Sequence, residues 1–256
     1  MIPVTPLLVT VAHGTRHPTG NRVAAELTAR AGALLGVEAL ASYVELCAPS
    51  LASVVAGLAP QRPAVVVPLL LSTGHHVRHD LPAMAGGRPL GRPLGPDPLV
   101  AEAQADRLVE AGARPGSPVT LVAAGSSDPA ALDDLHDAAA LLADRWGGPV
   151  RLATLSGLGP RPADVVRPGD AVSPYLLAPG FFAGRARDAA LTAGAAVVAD
   201  VIGVHPAVVR LVAARAGEGF PGEPGKPALI GRSSGRQVEV LAERSGPGRR
   251  STAPCR

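Results

Sequence analysis

The second half of the chain repeats the first at a nearly constant distance. Val9-Thr-Val-Ala-His-Gly-Thr15 returns as Thr120-Leu-Val-Ala-Ala-Gly-Ser126, and Cys47-Ala-Pro-Ser-Leu-Ala-Ser-Val-Val55 returns as Leu158-Gly-Pro-Arg-Pro-Ala-Asp-Val-Val166. Pro68-Leu-Leu-Leu-Ser-Thr-Gly-His-His76 returns as Pro174-Tyr-Leu-Leu-Ala-Pro-Gly-Phe-Phe182, and Leu94-Gly-Pro-Asp-Pro98 as Ile202-Gly-Val-His-Pro206. The offset stays between 106 and 111 residues over four separated motifs, which marks an internal duplication. Whatever unit the first half builds, the second half builds again.

The repeated unit alternates short apolar runs with helical periodicity. In the first half the pattern predicts strands at 7–12, 38–46 and 64–71. Helices are expected at 22–35 (with Asn21 as N-cap), 50–58, 81–85 and 98–112, with a loop over 72–80 and a weak fourth strand within 86–96. In the second half it predicts strands at 119–124, 149–155, 171–178 and 195–202, and helices at 129–146, 161–167, 185–193 and 206–216. Strand–helix alternation of this kind gives right-handed βαβ units and parallel sheets. The fold class expected is α/β: two duplicated lobes, each a parallel β-sheet flanked by helices, with a cleft between them. The N-terminal lobe is expected over 1–115, after which Arg114-Pro-Gly-Ser-Pro118 reads as a linker. The C-terminal lobe is expected over 116–217 and a disordered Gly/Pro/Arg/Ser-rich tail over 218–256.

Composition narrows the function. Hydrophobic residues make up 47% of the 256, enough for a sizeable core, yet aromatics are only 2%. That excludes an aromatic platform for RNA, and the +3 net charge carries no basic helix stripe, so no nucleic-acid partner is expected. The N-terminus lacks a basic region followed by a long apolar run, and no uninterrupted apolar stretch is long enough to span a bilayer. Two cysteines, Cys47 and Cys255, do not make a disulfide framework. These features together predict a cytoplasmic protein without a membrane partner.

The duplication separates structure from chemistry. Gly14/Gly125, Gly74/Gly180, Pro49/Pro160 and Pro98/Pro206 are kept in both halves and read as structural. His13 faces Ala124, Glu45 faces Ser156, and His75-His76 faces Phe181-Phe182. One half therefore carries a polar constellation at its strand ends, where ligands bind in open α/β sheets, and the other has replaced it with small or apolar residues. Two imidazoles and a carboxylate are ligands for a divalent first-row metal and general bases near neutral pH. Arg16 and Arg78 flank these loops and would attract an anionic small molecule. His17, His79 and His136 read as surface residues, and His205, in the place of Asp97 before a helix, reads as a cap. No nucleotide-binding loop is present, and His-Gly-Thr-Arg is not the Arg-His-Gly order of a histidine phosphatase.

Three motifs carry a family resemblance: strand–His13-Gly-Thr-Arg16, Glu45-x-x-x-Pro-Ser-Leu51, and Pro68-Leu-Leu-Leu-Ser-Thr-Gly-x-His-x-x-x-Asp-Leu-Pro82. Over about residues 6–217 the chain resembles the class II sirohydrochlorin chelatases, the cobalt- or iron-inserting enzymes of cobalamin and siroheme synthesis. The resemblance implies an ATP-independent metal chelatase (a lyase) with no organic cofactor, taking sirohydrochlorin and Fe²⁺ or Co²⁺ as substrates. It implies that His13 and His76 hold the metal and accept protons, with Glu45 as the accompanying acid. The spacing to Asp80-Leu-Pro82 favours His76, with His75 as the fallback ligand. Arg16, Arg78, Thr15 and Gly74 are expected to meet the substrate, whose eight carboxylates suit arginine and backbone N–H anchors. Two lobes in one chain make a monomer the expected state. The competing reading is a metal or tetrapyrrole carrier that uses the same ligands without turnover. Sequence alone does not choose among Fe²⁺, Co²⁺ and Ni²⁺.

Overall fold

The structure, a computed structural model, describes residues 6–74 and 76–220, and of His76 the backbone alone. The first half contributes β1 (Leu7–Ala12), α1 (Pro18–Leu35), β2 (Glu38–Tyr43), α2 (Leu51–Ala56), β3 (Ala64–Pro68), α3 (Leu81–Met84) and α4 (Pro98–Glu110). The second half contributes β4 (Val119–Ala123), α5 (Pro129–Trp146), β5 (Val150–Thr154), α6 (Pro162–Val165), β6 (Ala171–Tyr175), α7 (Phe181–Thr192), β7 (Val197–Val198) and α8 (Pro206–Gly219). Two all-parallel sheets result, with strand orders β2-β1-β3 and β5-β4-β6-β7. The α/β class with two helix-flanked parallel sheets is as expected.

Several expected boundaries shift for physical reasons. Helix α1 starts at Pro18 rather than Arg22, because proline at the first helical position presets the backbone and needs no N–H partner. Asn21 is therefore inside the helix and is not its cap. Strand β2 stops at Tyr43 instead of 46, which leaves Glu45 on a loop. The expected fourth strand of the first half is a single bridge between Val66 and Leu90, and its counterpart β7 has only two residues. The segment expected as a loop over 72–80 ends in a π-helical turn, His76–Asp80, that leads into α3. Helix α7 begins four residues early, at Phe181. Helix α8 runs to Gly219, so residues 218 and 219 are helical; the rest of the expected tail beyond 220 lies outside the described residues.

Both faces of each sheet are covered, which is why β1, β3, β4 and β6 read as continuous apolar runs. On the outer face of the first sheet Leu7, Val9, Val11 and Val66 pack with Leu51 and Leu81. On the outer face of the second, Val122, Ala153 and Val172 pack with Ala186 and Ala190. The inner faces share one core: Leu8, Val65 and Val67 from the first sheet join Val119, Leu121 and Ala123 from the second. Helices α1, α4, α5 and α8 supply the apolar side chains of that core, among them Leu27, Leu108, Leu142 and Leu211.

The last helix of each half is exchanged. Helix α4 packs on β6 and helix α8 packs on β3, while α4 and α8 also touch each other. Polar contacts fix the exchange. Gln104 of α4 donates from Nε2 to Ser173 Oγ of β6 at 2.8 Å. Arg215 of α8, only 6% exposed, donates from Nε to Pro93 O at 3.2 Å and from a terminal nitrogen to Asp97 Oδ2 at 2.8 Å. Asp97 Oδ1 meanwhile caps α4 through Leu99 N. In the mirrored position, Arg107 of α4 donates to Ile202 O, ahead of the N-cap of α8. That cap is His205, whose Nδ1 accepts from Ala207 N at 3.2 Å and whose Nε2 faces Asp106 at 3.3 Å, as the sequence led us to expect.

Arg215→Met should cost about 3 kcal/mol in urea unfolding, because it leaves the carboxylate of Asp97 with its buried partner removed. Arg215→Met combined with Asp97→Asn should recover part of that loss. Arg210→Met, which breaks an exposed pair with Glu102, should change stability by less than about 1 kcal/mol.

Candidate active site

The loops that follow β1 and β2 are held side by side beyond the ends of their strands. Val44 N donates to Ala12 O at 2.9 Å and Glu45 N to His13 O at 3.1 Å, so backbone pairing outlasts the sheet by two residues. Gly14 makes this approach possible. Its φ is +94°, and a Cβ there would collide with the Glu45 carbonyl oxygen. Gly125 does the same against Ser156 in the second half, with φ +88°. The structure thus pairs His13 with Ala124 and Glu45 with Ser156, as the duplication does.

The consequence is a polar pair. His13 Nε2 lies 3.3 Å from Glu45 Oε1, and both side chains are about half exposed. His13 Nδ1 lies 3.3 Å from Gly14 O. Each ring nitrogen therefore has an oxygen acceptor beside it, and a doubly protonated imidazolium satisfies both. The 3.3 Å separation also suits two ligands of one ion: at bonds of about 2.1 Å they would subtend roughly 100°. Among the described residues no group of three or more His, Cys, Asp or Glu side chains comes together to hold a metal.

His13 opens onto a cavity of about 1090 Å³ lined from both halves. The β1 loop supplies Thr15, Arg16 and His17, and the β3 loop supplies Leu71, Ser72 and Gly74. From the second half come Gly125, Ser126 and the segment from Tyr175 through Phe182. The strand-end loops also cross over. Tyr175 donates its hydroxyl to Leu71 O at 2.9 Å, and Thr73 N donates to Asp134. In the reverse direction Gly20 lies so close to Pro179 O that a Cβ there would sit 2.7 Å from it. Burial pushes the Tyr175 phenol up, and the charges of Asp134 and Asp97 push it the same way, so it remains a neutral donor.

Four of the expected site residues, His13, Thr15, Arg16 and Gly74, line this cavity. Glu45 touches it through His13. Arg78 is an exposed residue of the π-helical turn and is not among the lining residues. His75 lies outside the described residues, and of His76 only the backbone, at the start of that turn, is described. His17, expected as a surface residue, is exposed at the N-cap position of α1 and reaches the cavity rim. His79 and His136 are exposed.

Sequence reasoning missed the residue that holds the His13 loop in shape. Asn21 accepts from Thr15 N at 3.1 Å and donates to Thr15 O at 2.8 Å, so one amide clamps both backbone groups of Thr15. An asparagine within reach of a strand-end loop is the sequence signal for this clamp. The other missed feature is Leu46. It has φ +67° at the centre of a tight turn closed by Cys47 N to Glu45 O at 2.9 Å, and it too lines the cavity.

Residues 7–111, which span the His13 loop, Glu45 and the β3 loop, match the CbiX family model. The two halves together resemble solved structures. SirB from Bacillus subtilis with Fe³⁺ is 26% identical, with a TM-score of 0.71 over 85% of this chain and 96% of that one. The sirohydrochlorin chelatase SirB from Bacillus subtilis subspecies spizizenii, in complex with cobalt, is 26% identical, with a TM-score of 0.68 over 84% of this chain and 94% of that one. A structure of CbiX, the terminal enzyme for siroheme biosynthesis in denitrifying bacteria, shares the fold at 21% identity, with a TM-score of 0.62 over 82% of this chain and 98% of that one. No curated protein matches the sequence significantly. No described helix is long and apolar enough to cross a membrane.

Gly14→Ala should abolish the His13–Glu45 juxtaposition and cost about 2 kcal/mol or more, since it combines an unfavourable φ with a backbone collision. Gly36→Ala is the control: its φ is also positive, at +67°, but nothing lies within 4 Å of a Cβ there. Only the strain of about 1 kcal/mol should appear. Paired urea titrations of the two variants read the difference.

Proposed function

We propose that the protein is a sirohydrochlorin chelatase that inserts Fe²⁺ or Co²⁺ without ATP or an organic cofactor, in siroheme or cobalamin biosynthesis. The observation that carries this reading is the His13–Glu45 pair at the rim of a cavity lined from both halves. Solved relatives at 26% identity over nearly the whole described fold include a sirohydrochlorin chelatase with cobalt and SirB with Fe³⁺. The cavity volume suits a large flat ligand. Because both of its walls come from one polypeptide, the protein acts as a monomer.

Insertion exchanges two pyrrole N–H protons for one M²⁺. The ion arrives hydrated, and His13 with Glu45 displaces part of its water shell. His76 completes the ligand set, with His75 as the fallback. As the ion passes to the macrocycle, the freed imidazole of His13 takes one proton. The resulting imidazolium is held by Gly14 O and by the carboxylate of Glu45, which is exposed enough to pass that proton to water. The second proton leaves through the other histidine. Arg16 and the backbone around Thr15 and Gly74 meet substrate carboxylates inside the cavity. Arg78 meets them from outside its described lining.

An anaerobic absorbance assay with sirohydrochlorin and Fe²⁺ or Co²⁺, without ATP, tests the reading. The wild-type protein should accelerate metallation over the protein-free rate. His13→Ala and His76→Ala should each lose about 100-fold or more, and Glu45→Gln about 10-fold or more. Wild-type rates equal to background, with stoichiometric binding of metal or tetrapyrrole, would select the carrier instead.

A further inference from the structure

The chain has six aromatic residues, and four of them serve the core. Tyr43, Trp146 and Tyr175 are buried, and Phe220 packs against the same cluster. The other two, Phe181 and Phe182, are exposed, are adjacent, and line the cavity that His13 opens onto. Phe181 is 71% exposed, the highest value among the exposed large hydrophobic residues described. The rings meet edge to face with centroids 5.4 Å apart, and the Arg185 guanidinium lies 5.6 Å from the Phe181 ring centre. The pair is anchored at the start of α7, directly after Gly180, whose Cβ position lies 3.5 Å from Thr15 Oγ1. These rings therefore stand next to the β1 loop that carries His13.

Leu46 is a separate observation on the same cavity. It is 49% exposed and held at φ +67°, a conformation costly for a leucine. The aligned position in the duplicated half is Gly157 at φ +63°, where a Cβ would collide with Ser126 O. The first half carries a bulky side chain at this position instead, and that side chain borders the cavity beside Glu45.

We propose that Leu46 from the first half and Phe181 and Phe182 from the second form an apolar seat for the flat face of the tetrapyrrole, with Arg185 placed to meet a carboxylate on its rim. The proposal rests on the chelatase reading above. The chemistry is complementary: apolar surface for a conjugated ring, a guanidinium already braced by an aromatic face for its acidic edge. The positions that hold His75-His76 in the first half thus serve the substrate's ring instead of its metal in the second.

The test is a fluorescence titration with metal-free sirohydrochlorin, which needs neither metal nor turnover. Phe181→Ala/Phe182→Ala and Leu46→Gly should each weaken binding about 10-fold or more. In the metallation assay they should raise KM more than they lower kcat. Phe181→Trp should restore affinity and bring a tryptophan signal that is quenched on binding. Leu191→Ala is the control, an equally apolar residue of α7, 49% exposed and away from the cavity lining; it should bind as wild type does. If the wild-type protein binds and the double variant binds equally well, this seat is wrong and the chelatase reading stands. If the wild-type protein does not bind the tetrapyrrole, both fall together.

Discussion

The structure depends on the exchange of α4 and α8. Each sheet has an inner face that its own half covers only in part, with α1 or α5, and the terminal helix of the other half completes the cover. Leu108 and Leu211 thereby enter a single core with residues of both sheets. The exchange is enforced by buried polar contacts that tolerate no slippage, chiefly Arg215 on Pro93 O and Asp97, and Gln104 on Ser173. Apolar packing would accept small sliding movements; a guanidinium that must meet a carbonyl and a carboxylate at once does not. The cavity inherits this rigidity. Its two walls belong to different sheets, and their relative position is set by the helices behind them.

The duplication is what made the chain legible. Because strand ends align between the halves, the sequence alone gives the pairings His13/Ala124 and Glu45/Ser156. The structure reproduces them through identical backbone contacts at Gly14 and Gly125. Strands β1, β3, β4 and β6 were readable as buried runs for the same reason: covered on both faces, they have no polar alternation to obscure them.

What was not legible was tertiary in origin. No periodicity in α4 reports which sheet it packs on, since Leu108 is apolar in either arrangement. The role of Asn21 was hidden because asparagine before a helical pattern has a local explanation, capping, whereas the helix starts at Pro18 and leaves Asn21 inside it. Leu46 gave no signal, because a positive φ at a leucine follows from the Glu45–Cys47 turn and not from the residue type. The fourth strand also differs between the halves: Val66 meets Leu90 through one bridge where β6 meets β7 through two residues.

The two halves differ most where a symmetric pair of sites would be redundant. In the second half the Ser156 hydroxyl donates back to Ala124 O at 2.7 Å, so its polar group is spent inside its own loop. In the first half the longer Glu45 side chain passes that position and reaches His13. The backbone scaffold is the same, and one carboxylate in place of a hydroxyl converts a closed loop into a group that can share an ion or a proton. A planar macrocycle receives its metal through one face. A second set of ligands on the opposite wall would compete for the ion without shortening its path, whereas an apolar wall holds the ring against the first. On the chelatase reading, the loss of histidines from the repeat is therefore a division of labour, with metal chemistry on one wall and ring binding on the other. The exchanged helices keep the two walls in register.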